Sequence, residues 1–160
     1  ALETLHTTQK NYQEFNVRRR YRFPYVNCLA ETYLFAAEHP EIALQHDRSE
    51  WLALARDACR DAMKVARGCW MGLPEAMRLQ GTCEWLRGRK RAAGSWWRRG
   101  LSFAIQNRIG YDEAMIHLEM GCRLGESDHL DKAAALFEVM GSERNLERTR
   151  AALEALGNVL

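Results

Sequence analysis

Two stretches forty residues apart, Gly81–Trp97 (GTCEWLRGRKRAAGSWW) and Gly121–Phe137 (GCRLGESDHLDKAAALF), decide the fold. Each sets a glycine, then an alanine twelve residues on (Ala93, Ala133), then an aromatic side chain four further (Trp97, Phe137), with a second glycine between (Gly88, Gly125). The alanine and the aromatic lie one turn apart on a common helix face, and the leading glycine lets a partner helix approach closely. That is the pattern of two helices packed as a hairpin, and its recurrence at this period points to a helical-repeat array. An array of this kind works by presenting a surface, so its architecture is more legible than its ligand.

Working outward, Pro74 opens the first helix of the middle unit, which runs to Gly88, and its partner covers 91–107 with Trp97, Leu101, Ala104 and Ile105 inward. Gly110 reads as a stop. The last hairpin spans Tyr111 to Leu124 and Asp128 to Met140, and Ser142 reads as the N-cap of a final helix, Glu143 to Leu156, that closes the array. Toward the N-terminus, Val26, Leu29, Ala30, Tyr33 and Ala37 form the buried stripe of a helix that begins at Pro24, where a missing N–H costs nothing, and Pro40 ends it. After a loop over His39–His46, Asp47-x-x-Glu50 is a capping box for a helix to Arg67, with Trp51, Leu52, Ala55, Ala58, Cys59, Ala62 and Val65 or Ala66 on its packing face. A further helix is expected over 2–20. The expected fold is thus all-α: a right-handed array of antiparallel helix hairpins over 24–67, 74–107 and 111–140, with flanking helices at 2–20 and 143–156, in a single 160-residue domain.

Composition agrees. Only three prolines occur among 160 residues, and Ala, Leu, Arg and Glu dominate over β-branched types, which favours helix throughout. The five cysteines, Cys28, Cys59, Cys69, Cys83 and Cys122, show no C-x-x-C pair and an odd count, as in a reducing cytosol, where helical cysteines act as small apolar residues. No apolar run reaches the roughly 20 residues of a membrane span, so the chain is expected to be cytoplasmic and without membrane contact. It opens on Ala1-Leu2-Glu3 in helical character, as a fragment of a longer polypeptide would. Net charge is +2 but unevenly placed. From Arg78 to Arg108 eight basic residues face Glu84 alone, whereas 109–160 holds five basic and ten acidic residues. Such asymmetry suits joining to a partner, or to further copies of the chain, by charge complementarity.

The small-residue and aromatic spacing resembles tetratricopeptide-type repeats. Val26, Leu29, Ala30, Tyr33 and Ala37 stand at that motif's first-helix core positions, and Met120, Gly121, Leu124, Ala133, Phe137 and Met140 match a whole unit. Gln80 and Glu84 depart from it, standing where apolar residues belong, which predicts a rotated or irregular first helix in the middle unit; the period also exceeds the standard 34 residues. The ending GYDEAMIHLEMGCRLGESDHLDKAAALFEVMGSERNLERTRAALEAL resembles the C-terminal helical-repeat segment of bacterial signalling proteins, including ATPase-coupled class III nucleotide cyclases and signal-transduction ATPases related to the maltose-regulon activator. This resemblance covers 73–156 and implies a regulatory or interaction module following an ATPase core.

No G-x-x-x-x-G-K-[ST], G-x-S-x-G or H-E-x-x-H occurs, so no catalytic residue, metal ligand or cofactor is assigned and the chain is expected not to be an enzyme. His39, His46 and Asp47 match no common metal-ligand spacing and read as a solvated loop. Asp128, His129 and Asp131 read as helix-start residues that complement the dipole. His117 lies one turn after Glu113, a conceivable acid–base pair, but stands where the repeat packs a large side chain and reads as a core histidine.

The candidate partner-binding residues fall in two groups. By repeat register, Asn27, Glu31, Arg78, Thr82 and Trp85 line the groove where helix-hairpin arrays hold a protein segment, with Trp85 a potential anchor. The basic turn supplies Arg87, Arg89, Lys90, Arg91, Arg98 and Arg99. The expected function is a non-catalytic protein–protein interaction or regulatory module acting on a protein or a neighbouring domain of the same polypeptide. Self-association through Leu2, Leu5, Tyr12 and Phe15 is a further expectation. The alternative is a nucleic-acid-binding helical domain in which Arg87–Arg99 meets phosphates beside stacking tryptophans.

Overall fold

The computed structural model describes residues 7, 19–41 and 46–158, and among these the chain is all-α, with seven α-helices and no strand. The helices are α1 (Arg19–Glu38), α2 (Arg48–Ala66), α3 (Leu73–Leu86), α4 (Lys90–Gln106), α5 (Gly110–Leu124), α6 (Ser127–Val139) and α7 (Glu143–Gly157). The expected helix over 2–20, with its proposed self-association face, lies outside the described residues apart from helical Thr7 and the start of α1.

Local chemistry sets the helix ends. Asp47 accepts from Ser49 N at 2.7 Å and Glu50 N at 2.9 Å, while Glu50 Oε2 accepts from Asp47 N at 3.0 Å, so the capping box forms as read. Those donors, with the Glu50 amide foremost, hold the Asp47 carboxyl below the usual carboxylate range. A short 3₁₀ turn, Trp70–Gly72, leads into α3 with Pro74 in its first turn. At the end of α3, Gly88 (φ +79°) lets its own N–H reach Trp85 O at 2.9 Å and that of Arg89 reach Glu84 O at 2.9 Å. This is the Schellman closure. The same pair of bonds ends α6 at Gly141 (φ +64°).

Three expectations need correction. α1 begins at Arg19, so Pro24 sits inside it and not at its first position. Proline's fixed φ suits the helix, and the exposed ring gives up one backbone bond. Gly110 is the first residue of α5, not a stop. The stop is Arg108 (φ +56°), which closes α4 with Arg108 N to Ile105 O at 3.2 Å and Ile109 N to Ala104 O at 2.9 Å, a left-handed position that glycine fills elsewhere. Ser142 precedes α7 without capping a backbone amide; its hydroxyl accepts from the Asn145 side-chain amide at 3.1 Å. In addition, α3 is a continuous helix despite Gln80 and Glu84, and Ile105, expected inward, is 51% exposed. Trp97 and Ala104, seven residues apart, define the buried face of α4, and Ile105 is rotated off it by about 100°.

The chain divides into two compact units, 1–96 and 97–160, with the division inside α4. In the first unit α1 packs on α2 and α3, and α2 on α3. The core holds the stripe of α1, the Trp51–Ala66 face of α2, and Ala76, Leu79 and Cys83 of α3, with Tyr33 and Trp51 ring centroids 5.8 Å apart. In the second unit α6 packs on both α5 and α7 around Ala114, Leu118, Leu130, Ala133 and Phe137, with Leu146, Ala152, Leu153 and Leu156 of α7 against them. The repeat glycine is required here: a Cβ on Gly121 would lie 2.6 Å from Leu130 Cγ and Cδ2 and 3.0 Å from its backbone nitrogen.

Candidate functional site

Four of the five residues placed in a groove by register, Asn27, Glu31, Arg78 and Thr82, come together, but at a helix contact. Asn27 Nδ2 donates to Glu75 Oε2 at 2.7 Å, and Arg78 Nη2 donates to Glu31 Oε1 at 2.9 Å, two cross-links between α1 and α3. Thr82 turns its hydroxyl back onto the Arg78 carbonyl at 3.1 Å. Asn27, Arg78 and Thr82 are all buried, and Asn27 Oδ1 is a buried acceptor without a partner. Of the four, Glu31 alone faces solvent. Polar groups removed from water must find partners within the fold, and these mostly do.

The two departures from the repeat pattern, Gln80 and Glu84, lie one turn apart on α3. Glu84 is 8% exposed and gathers Gln80 Nε2 at 3.2 Å, Arg87 Nη1 at 3.3 Å and Arg89 Nη1 at 3.4 Å. A buried carboxylate is tolerable because two guanidiniums and an amide surround it. Trp85 is half-buried, and the Lys90 ammonium lies 5.1 Å from its ring centroid. Arg89, Lys90 and Arg91 are exposed around Gly88 in the first unit; Arg98 and Arg99 are exposed in the second.

The first unit adds two arginines that sequence reasoning missed. Arg48 and Arg56 of α2, with Arg87, rim a cleft of about 380 Å³ whose other lining residues are Ser49, Leu52, Ala53 and Leu86. Arg48 Nη2 donates to the Leu86 carbonyl at 3.0 Å, tying the start of α2 to the end of α3. Arg56 leans on its neighbour Asp57 at 3.2 Å, a solvent-facing pair of little energetic weight. Arg48, Leu52 and Arg56 follow at fours along one helix face, a legible signal. That this face meets the basic turn was not legible. Three guanidiniums around an aliphatic floor suit a carboxylate or other anion beside an apolar group.

Two further clusters involve titratable side chains. In the first unit Cys59 and Cys83 are both fully buried, and Cys59 Sγ donates to the Leu79 carbonyl at 3.6 Å. Both thiols are free, and the neighbouring Cys83 thiol, followed by burial, pushes the Cys59 thiol up. In the second unit His117 of α5 meets His129 of α6, not Glu113: the two Nδ1 atoms are 2.6 Å apart with ring centroids at 4.8 Å. The rings therefore point nitrogen to nitrogen and hold a single proton between them. Glu126 Oε2 lies 3.4 Å from His129 Nε2 on the far side. Burial, followed by the charges of His129 and Lys132, pushes His117 down to about 4.

His39, His46 and Asp47 take separate partners: His39 meets Glu41 at 3.3 Å, His46 meets Glu50 at 3.4 Å, and Asp47 caps α2. No group of three or more metal-ligating side chains converges among the described residues, and none of their helices is long and apolar enough to cross a membrane. The cationic cleft continuous with the basic turn at Arg87 is therefore the strongest candidate site in the described part of the molecule. No protein-family model, curated protein or solved structure matches this chain.

Proposed function

We propose that the chain is a non-catalytic interaction or regulatory module of a larger bacterial signalling protein, a tetratricopeptide-like right-handed stack of hairpins that binds a protein or a neighbouring domain. The observation that carries this reading is the cleft of Arg48, Arg56 and Arg87 over Leu52 and Leu86, joined through Arg87 to the exposed Arg89, Lys90 and Arg91. Guanidiniums beside an aliphatic floor are the chemistry of a protein contact, in which an acidic side chain and an apolar one are taken up together. Base stacking is less well served, since Lys90 already occupies a face of Trp85.

The test is titration of the folded chain with the remainder of its polypeptide, comparing wild type with Lys90→Glu/Arg91→Glu. Binding is expected, weakened about tenfold or more by the double charge reversal. A folded chain that binds nothing in that polypeptide sinks the reading. Tight binding to single-stranded or duplex nucleic acid, falling steeply with salt, would replace it with the phosphate-binding alternative.

A further inference from the structure

Val139 is 88% exposed, the most exposed large apolar residue among those described, and Met140 beside it is 40% exposed. They end α6 on a turn whose shape is set by Gly141 (φ +64°), with Gly141 N to Glu138 O at 3.1 Å and Ser142 N to Phe137 O at 2.9 Å. Carboxylates flank the pair: the Glu138 side chain is 67% exposed and meets Arg150 Nη2 at 3.4 Å, a solvent-facing pair of little energetic weight that docking can exchange for another guanidinium, and Glu143 opens α7 in solvent. The turn thus presents a preformed acidic–apolar–apolar–acidic knob. A rigid element loses little conformational freedom on docking.

The cleft of the first unit has the complementary chemistry. Its floor is Leu52, Ala53 and Leu86, and its rim carries Arg48, Arg56 and Arg87. Arg48 spends one N–H on a neutral carbonyl and, among the described residues, meets no carboxylate in an ion pair. The volume of about 380 Å³ falls within the range of clefts that hold ligands. Charge runs the same way along the chain, with eight basic residues against one acidic over 78–108 and ten acidic against five basic over 109–160.

We propose that the Arg48–Arg56–Arg87 cleft of one copy receives the Glu138–Glu143 turn of a second copy, with Val139 and Met140 on Leu52 and Leu86 and the two carboxylates against the guanidiniums. The contact joins two different surfaces, so it is heterologous and propagates head to tail into longer chains of molecules or closed rings. It rests on the reading of this cleft as an interaction surface, and makes self-assembly one use of it.

Sedimentation velocity on the full chain from roughly 10 to 500 µM, the range in which a contact of modest affinity becomes visible, tests the proposal. Mean mass should rise with concentration and fall as salt is raised from about 50 to 500 mM, because the rim charges are screened. Two variants sharpen the test: Arg48→Ala/Arg56→Ala strips the cleft of charge, and Val139→Lys/Glu143→Lys blocks the turn, so the two altered surfaces do not attract each other. Each alone should remain monomeric, whereas an equimolar mixture should form a species of two chains and no larger, since each supplies one intact surface. A wild-type chain that is monomeric across the range overturns the proposal, as does a mixture that stays monomeric or a blocked variant that assembles like wild type. The wild-type salt series needs no substitution, so a variant that failed to fold would not remove the test. A chain that assembles as described yet ignores the rest of its polypeptide leaves this proposal standing and removes the regulatory-module reading. A monomeric chain whose cleft variant loses that binding does the reverse.

Discussion

The α5–α6 contact and the α1–α3 contact close helix pairs with opposite chemistry. Between α5 and α6 the seam is Gly121 under Leu130, with Ala114, Leu118, Ala133 and Phe137 around it. Between α1 and α3 the seam carries Asn27 to Glu75 and Glu31 to Arg78, with Thr82 folded back onto its own helix. An apolar seam gains from area removed from water and tolerates no added volume. A polar seam gains little net energy per bond, but each member becomes costly once its partner is gone. The first kind fails by steric change, the second by loss of a single atom's partner.

The largest effect is expected in the apolar seam. Phe137 is fully buried, and Phe137→Ala should cost about 4 kcal/mol through lost contact and the cavity left behind, read as a lower midpoint of urea unfolding. A loss under about 1 kcal/mol would mean that the seam is not a packed core. Next comes Gly121→Val. Its branched side chain meets Leu130 at sub-contact distance, including the backbone nitrogen, so about 3 kcal/mol should be lost even though valine is the better helix former. A neutral result would show that α5 and α6 can move apart freely.

Acid should weaken the second unit at the His117–His129 contact. In the folded chain His117 titrates at about 4, against 6.5 for an unperturbed histidine. Between those values the unfolded chain binds a proton that the folded one excludes. The stability gained from the neutral ring is therefore complete above pH 6.5 and is lost as the pH falls toward 4, on the order of 2–3 kcal/mol. His117→Phe should flatten the thermal midpoint over that interval; an unchanged acid slope would assign it to other groups. The smallest effect lies in the polar seam. Glu31→Ala should cost about 1–2 kcal/mol, because it strips a carboxylate from the buried Arg78 guanidinium, and Arg78→Met should recover part of that loss in the double variant. Additive losses in the cycle would show that the pair is not coupled.

Much of this was legible in the chain itself. The capping box at Asp47, the stripes of α1 and α2 and the helix ends near Gly88 and Gly125 depend on neighbours within a turn or two, and they form as read. The misreadings are equally instructive. Gly110 carries the residue type of a helix end, yet Arg108 takes the positive φ, since the closing bonds to Ala104 and Ile105 decide where α4 stops. Proline at 24 signals a first turn, but α1 extends five residues before it. At the candidate site, Arg87, Arg89, Lys90 and Arg91 stand out as a charge run, whereas Arg48 and Arg56 look like ordinary solvent-facing residues on a helix.

The sequence by itself determined that the described part of this protein is helical, where most of its helices begin and end, and which small and aromatic residues of the last hairpin are buried, because periodicity, caps and turn residues are encoded over a few residues. Only the tertiary structure decided which polar side chains are buried between helices, that His117 faces His129, and that Arg48 and Arg56 share a cleft with Arg87. These depend on the rotation of one helix against another across 12 to 48 residues of chain, a quantity that no local pattern carries.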